Sequence, residues 1–390
     1  MTDQPSGPLH GVRVLDLTHV LNGPFCTMLL AHMGAEVLKL EYGGGDRFRH
    51  AWMPLDADHD GHEFLVVNAN KRGFTLNLKA ERGKELFLEL VKRSDVVVEN
   101  FSVGVMDRLG LSYEALRAVN PRIVYASSRG FGEFGPAASK RANAQTIMAS
   151  TGWTNATWEF SGSPGTVPQG IGDEAAGVSM ALGIVAALLS RESTGRGQRV
   201  DVAMQEAMLG FMVSNFHTLF EGQGVGAASK PCLDGYVAFH LPDMSDELWA
   251  SLATALGHPE ALADAAFSSV SSRREHYAQW EELVTSWVAS KTRSELDEAF
   301  TATGISAASV RTLAEVVDDE HLHARAAFVD VEDPRAGVVK MLAPWIRFSE
   351  TPAAITGSAP AVGEHNRSVF GDLLGLSDAE IDALRDDGVI

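Results

Sequence analysis

The first 130 residues constrain the fold most, because they alternate between two hydrophobic periodicities. Residues 12–17 (VRVLDL), 36–41 (EVLKLE), 74–78 (FTLNL), 95–101 (DVVVENF) and 122–127 (RIVYAS) read as short buried strands. Helical patterns fall between them: one from about 25 to 33, one over 80–94 with Leu86, Leu88, Leu90 and Val91, and one over 112–120 opened by Ser112 as a cap. Strands alternating with helices build βαβ units, and hence a parallel sheet of Rossmann-like type. Ligands of such sheets lie beyond the carboxyl ends of the strands. Those ends are residues 18–24, 42–49, 100–103 and 127–131. Gly43, Gly44 and Gly45 precede an acid and no helix start, so they do not make a dinucleotide fingerprint.

A second feature is the stretch QGIGDEAAGVSMALGIVAALLS, residues 169–190. It runs a glycine-flanked turn into an apolar helix with Asp173 at its mouth. On the residues alone, Asp173 reads as a helix cap or as a nucleophile. The apolar run from Ala175 to Leu189 is shorter than the roughly 20 residues that span a bilayer. A strand and a helix follow in residues 199–209, then a small polar stretch, 222–230, that reads as a linker. Beyond Asp234 one strand (GYVAFHL) is followed by helical patterns at 246–256, 276–290 and 293–301. After Gly337 the pattern returns to strand and loop and closes on the capped helix LSDAEIDALRDDG. The expected organisation is a large Rossmann-like domain over residues 1–225, a smaller and mostly helical α+β domain over 226–330, and a return to the large domain over 331–390.

With 51 acids against 32 bases the net charge is −19, which argues against nucleic acid as a partner. An anionic ligand in a local basic pocket remains compatible with that total. Cys26 and Cys232, far apart and without ligand spacing, suggest neither a disulfide framework nor a metal site. The N-terminal residues lack a basic flank followed by an apolar run. A soluble, cytoplasmic protein without a membrane partner is expected.

GVRVLDLTHVLNGP, then LLAHMGAEVLKLE with Gly45, Asp46 and Arg49, resemble the opening of the family III CoA-transferases. NANKRGFTLNL, DVVVENFSVGVMDRLGLSYEAL and NPRIVYASSRGFGEFGP continue the likeness in order. IGDEAAG followed by STGRGQRVDVAMQEAML is similar to that family's central motif, and LDGYVAF, GISAASV, FSETP and AVGEH extend it through the C-terminal half. The resemblance implies a CoA-transferase acting on acyl-CoA and a small carboxylic acid, with the CoA thioester as substrate and no permanently bound cofactor or metal. It also implies two interlocked chains forming a homodimer.

It further implies roles. The aspartate of GD-x-x-x-G, here Asp173, attacks the donor thioester. A helix N-terminus would favour its ionised form by about 0.3–1 kcal/mol. His19, Val20, Leu21 and Asn22 would line the pantetheine end, and Asn100 and Phe101 the adenine and ribose. Lys71, Arg72, Arg108, Lys140 and Arg141 are the candidate bases for the phosphates. Glu174 is assigned no catalytic role. The family's racemases carry a His-Asp pair at the positions of Asn143 and Ala144, and neither residue exchanges a proton near neutral pH. A 2-methylacyl-CoA racemase or epimerase and an inactive CoA-binding partner subunit are the alternative readings.

Overall fold

The computed structural model describes residues 7–50, 60–161, 170–213, 229–239 and 245–390, with backbone alone at 158–161. The chain forms two compact units, residues 1–216 with 323–390 and residues 217–322. The 222–230 linker falls almost entirely outside the described residues.

The first unit is built on β1 (Arg13–Asp16), β2 (Glu36–Glu41), β3 (Arg72–Thr75), β4 (Val96–Glu99), β5 (Val124–Arg129) and β6 (Arg199–Ala203). They lie in the order β3-β2-β1-β4-β5-β6, and every pairing is parallel. The order reverses between β1 and β4, the crevice where ligands of doubly wound sheets bind. Successive side chains point to opposite faces of a strand. Accordingly Val14, Val37, Val96, Val98 and Val124 enter one core, and Leu15, Leu38, Val97 and Tyr125 the other. Both faces are covered, as a parallel sheet requires.

The described helices of this stretch are α1 (Asn22–His32), α2 (His62–Val67), α3 (Glu81–Val91), α4 (Val105–Arg108), α5 (Tyr113–Val119), α6 (Ala144–Ser150), α7 (Trp153–Ser161), α8 (Ile171–Thr194) and α9 (Met204–Phe211). Helices α1, α2 and α8 supply one core, while α3 and α5 supply the other. Leu86, Phe87, Leu90 and Val91 of α3 are the buried stripe that the 80–94 pattern encodes. Helix α8 differs from the sequence expectation. Its 24 residues are long and apolar enough to cross a membrane by length and composition. Within the fold, however, it packs against α1, β5, β6 and α9, and half of its most apolar window is buried.

The second unit joins β7 (Lys230–Cys232), β8 (Gly235–Phe239) and β9 (Ala307–Ser309) into an antiparallel sheet. Its core holds Trp249, Trp280, Trp287 and Phe300 from helices Asp246–Ala255, Tyr277–Ala289 and Arg293–Thr303. The chain then returns to the first unit. The hairpin of β10 (Phe328–Asp333) and β11 (Gly337–Leu342) places Val339 and Met341 in the α1 core. Val369, Phe370, Ile381 and Leu384 fill the α3 core. The Oδ1 of Asn366 accepts a 2.8 Å hydrogen bond from the Thr75 N–H, tying this return to β3.

Candidate active site

The carboxyl ends of β1, β2, β4 and β5 open onto one cavity of about 660 Å³. Residues 19–22 follow β1, Gly45, Arg47 and Phe48 follow β2, 100–102 follow β4, and 128–130 close β5. Residues 142–145 at the start of α6, Gly170 and Asp173 at the start of α8, Glu63 of α2 and Met204 of α9 complete the wall.

The turn after β1 is held from two sides. Asn100 imitates a backbone strand: its Oδ1 accepts the His19 N–H at 2.9 Å and its Nδ2 donates to the His19 carbonyl at 2.8 Å. The His19 and Phe101 rings lie 5.7 Å apart. Val20 adopts φ +68°, a left-handed conformation costly for a β-branched residue. Its N–H points at the Asp46 carboxylate, 3.2 Å away. Asp46 also accepts from the Phe48 N–H at 3.0 Å and from the buried Lys39 Nζ at 3.2 Å. Burial would raise the Asp46 pKa, but His19, Lys39 and the Phe48 N–H together hold it well below the ordinary carboxylate range.

Asp173 is not the helix cap. Gly170, at φ +99°, occupies that position, a conformation glycine adopts without steric cost. Asp173 is the third helical residue; its N–H donates to the Gly170 carbonyl at 2.8 Å. Its half-buried side chain lines the cavity, and no hydrogen bond from the described residues occupies the carboxylate. Burial, followed by the neighbouring charge of Glu174, pushes its pKa up from 3.8 to about 6. A helix dipole worth about 0.3–1 kcal/mol amounts to less than one pKa unit. Desolvation therefore outweighs the dipole, in contrast to the sequence expectation. At neutral pH the group is still mostly ionised, and it is poorly solvated. Glu174 is itself half-buried, with its pKa raised by burial and by the charge of Glu63, a residue of the cavity wall.

The structure brings His19, Val20, Leu21, Asn22, Asn100, Phe101 and Asp173 together on this cavity. It does not bring Lys71 or Arg72 there. Lys71 is 3% exposed, and its Nζ donates to Asp16, Thr27, Asn68 and the Pro24 carbonyl, all at 2.7–3.1 Å. An ammonium so enclosed has no donor left for a phosphate. Arg72 opens β3 at the amino edge of the sheet, where it pairs with Glu36 and donates to Ser368 Oγ at 2.8 Å. Arg108 is exposed at the end of α4, just beyond the 100–102 wall, and Lys140 and Arg141 are exposed immediately before the 142–145 wall. Asn143 caps α6 in a capping box with Thr146, and both Asn143 and Ala144 line the cavity.

Sequence reasoning named the strand ends but singled out neither Arg47 nor Arg129 among them. Arg129 is buried at the end of β5 and donates to Glu99 at 2.6 Å. Its location within 127–131 was the available signal. No group of three His, Cys, Asp or Glu side chains arranged for a metal occurs among the described residues.

Residues 9–366 match the model of CoA-transferase family III. The chain is 36% identical to a formyl-CoA:oxalate CoA-transferase of Streptomyces coelicolor, over 98% of this chain and 99% of that one. It is 34% identical to a succinyl-CoA–D-citramalate CoA-transferase of Chloroflexus aurantiacus, over the full length of both. The crystal structure of a CAIB/BAIF family protein from Brucella suis superimposes with a TM-score of 0.82 at 28% identity, covering 94% of this chain and all of that one. A match that runs almost end to end, at this identity and with this sheet, makes the chain a member of the family III CoA-transferases.

Proposed function

We propose that this CoA-transferase moves CoA from an acyl-CoA donor to a carboxylic acid acceptor through covalent intermediates on Asp173. The Asp173 carboxylate attacks the thioester carbon, the C–S bond breaks, and a mixed anhydride and CoA thiolate result. The thiolate attacks the aspartyl carbonyl, expelling the donor as its carboxylate and leaving an aspartyl-CoA thioester. The acceptor carboxylate attacks that thioester and again releases thiolate, which takes the acceptor's acyl carbon and restores Asp173. Each step exchanges one acyl bond for another, so protons and electrons balance without a co-reactant.

The observation that carries this reading is the Asp173 carboxylate itself: on the cavity, free of capping work and poorly solvated. The switch-point location supports an extended nucleotide ligand there. Arg108, Lys140 and Arg141, exposed beside the cavity wall, suit its phosphates better than Lys71 or Arg72. The relatives act on oxalate and D-citramalate, so we take the acceptor to be a small di- or hydroxycarboxylate. Asn143 and Ala144 offer no acid-base pair for racemisation. Exposed apolar residues along α8 support a homodimer. A cytosolic setting fits two cysteines that are both unpaired.

Incubating the protein with acyl-CoA and no acceptor should leave a thioester at Asp173, read by peptide mass as the hydroxamate that hydroxylamine forms there, or the alcohol that borohydride forms, as CoA is released. Asp173→Ala should abolish both the adduct and turnover. Turnover surviving in that variant would overturn the reading.

A further inference from the structure

We propose that the Asn22 carboxamide grips the thioester end of acyl-CoA. In this arrangement Nδ2 donates to the carbonyl oxygen under attack, and Oδ1 accepts the amide N–H nearest the sulfur. The proposal rests on the CoA-transfer reading above and assigns a binding role within it.

Asn22 opens α1, lines the cavity and is 4% exposed. Neither its Nδ2 nor its Oδ1 has a hydrogen-bond partner among the described residues. A buried polar group left without a partner is destabilising, and this side chain leaves both its donor and its acceptor orphaned. The neighbouring turn is otherwise well satisfied, with Thr18, His19 and Val20 all donating their N–H groups to side chains. On this turn the deficit is confined to the Asn22 side chain; across the same cavity, Ser128 Oγ and Arg129 Nε and Nη1 at the end of β5 also lack a hydrogen-bond partner among the described residues.

Proximity to Asp173 follows from helix geometry. Asp173 and Gly177 are one turn apart on the same face of α8. A Cβ on Gly177 would lie 2.8 Å from the Asn22 carbonyl oxygen, so α1 meets α8 at Asn22 and only a glycine permits that approach. The occupant must therefore bring a donor and an acceptor close together, and close to the nucleophile. A carboxylate or a lone carbonyl would satisfy Nδ2 and leave a lone pair facing Oδ1. The end of acyl-CoA offers both groups: its thioester carbonyl, and an amide N–H two methylenes beyond the sulfur. Asn100 already handles an N–H and a carbonyl in this way at His19. As Asp173 attacks, charge gathers on the thioester oxygen, and a fixed donor there is worth about a hundredfold or more in rate.

The test is a cycle between Asn22→Leu and an acyl-CoA whose cysteamine amide is replaced by an ester, which lacks the N–H. In the wild type the ester should lower kcat/KM about tenfold. Asn22→Leu should lower kcat/KM for natural acyl-CoA about a hundredfold, chiefly through kcat, and should show no further loss with the ester. The melting temperature of the ligand-free variant should equal or exceed that of the wild type, because two orphaned atoms are removed. Asn22→Ala should give the same kinetic pattern if leucine does not fit the space. An equal ester penalty in wild type and variant, or unimpaired adduct formation on Asp173 in Asn22→Leu, would overturn the assignment alone. Absence of any Asp173 adduct in the wild type would instead overturn the underlying CoA-transfer mechanism.

Discussion

The Val20 N–H and the Asp46 carboxylate lie 3.2 Å apart, and this contact spans a backbone held at φ +68°. The strain is local, whereas its support is buried: Asp46 is wholly inaccessible and is the ion-pair partner of the equally buried Lys39. Removing one member of such a pair leaves the other charge uncompensated, at a cost of about 3–5 kcal/mol. Asp46→Asn should therefore lower stability by that order in urea titration. Val20→Gly relieves the left-handed strain, loses some packing, and should move stability by no more than about 1 kcal/mol. If Asp46→Asn proved the milder change, the turn would not depend on this carboxylate.

The Asp173 pKa near 6 sets a pH dependence with a definite sign. The proposed attack on the thioester needs the ionised carboxylate, so adduct formation should decline below about pH 6. Glu174→Gln removes a like charge and should shift that acid limb to lower pH, though not back to 3.8, because burial remains the larger cause. Stability is linked to the same group. A carboxyl with a folded pKa above its unfolded value binds extra proton in the folded state, and its contribution is lost as pH rises through about 6. Asp173→Asn should thus melt above the wild type at pH 8, and the difference should close near pH 4. A pH-independent difference would refute the linkage.

Much of the site was legible because a parallel sheet puts its loops at predictable ends. The alternation of strand and helix marked residues 18–24, 42–49, 100–103 and 127–131, and each contributes to the cavity. Asp173 needed the GD-x-x-x-G resemblance, since an acid before an apolar helix is also what a cap looks like. The sequence does not reveal that Lys71 is occupied by Asp16, because that partner lies 55 residues away in the chain and sequence proximity carries no trace of the pairing. For Arg72, the periodicity places the start of the strand at Phe74. It starts at Arg72, which puts that side chain at the opposite edge of the sheet. The orphaned state of Asn22 belongs to packing between α1 and α8 and has no sequence signature.

The two classes of basic residue separate experimentally. Lys71→Met should cost about 3–5 kcal/mol, since it strands the buried Asp16 carboxylate, while leaving the KM for acyl-CoA of the folded fraction unchanged. Removing Lys140 and Arg141 together should leave stability within about 0.5 kcal/mol. It should raise KM about tenfold or more if they meet phosphate, with a smaller effect at high salt. An unchanged KM in the double variant would remove both from the CoA site.

Helix α8 buries one face and leaves Val178, Leu182 and Leu189 at 39%, 69% and 74% exposure. Their spacing aligns them on a single stripe of a 3.6-residue helix. Phe211 and Val213, in and just beyond α9, are likewise exposed. Exposed apolar stripes are uncommon on a monomer, and we propose that a second copy of the chain covers this one. Sedimentation should give twice the chain mass at micromolar concentration. Leu182→Asp with Leu189→Asp should shift the protein toward monomer without unfolding the sheet, because both side chains point away from the α1 core. A wild-type chain sedimenting as a monomer, with this stripe open to solvent, would exclude the dimer.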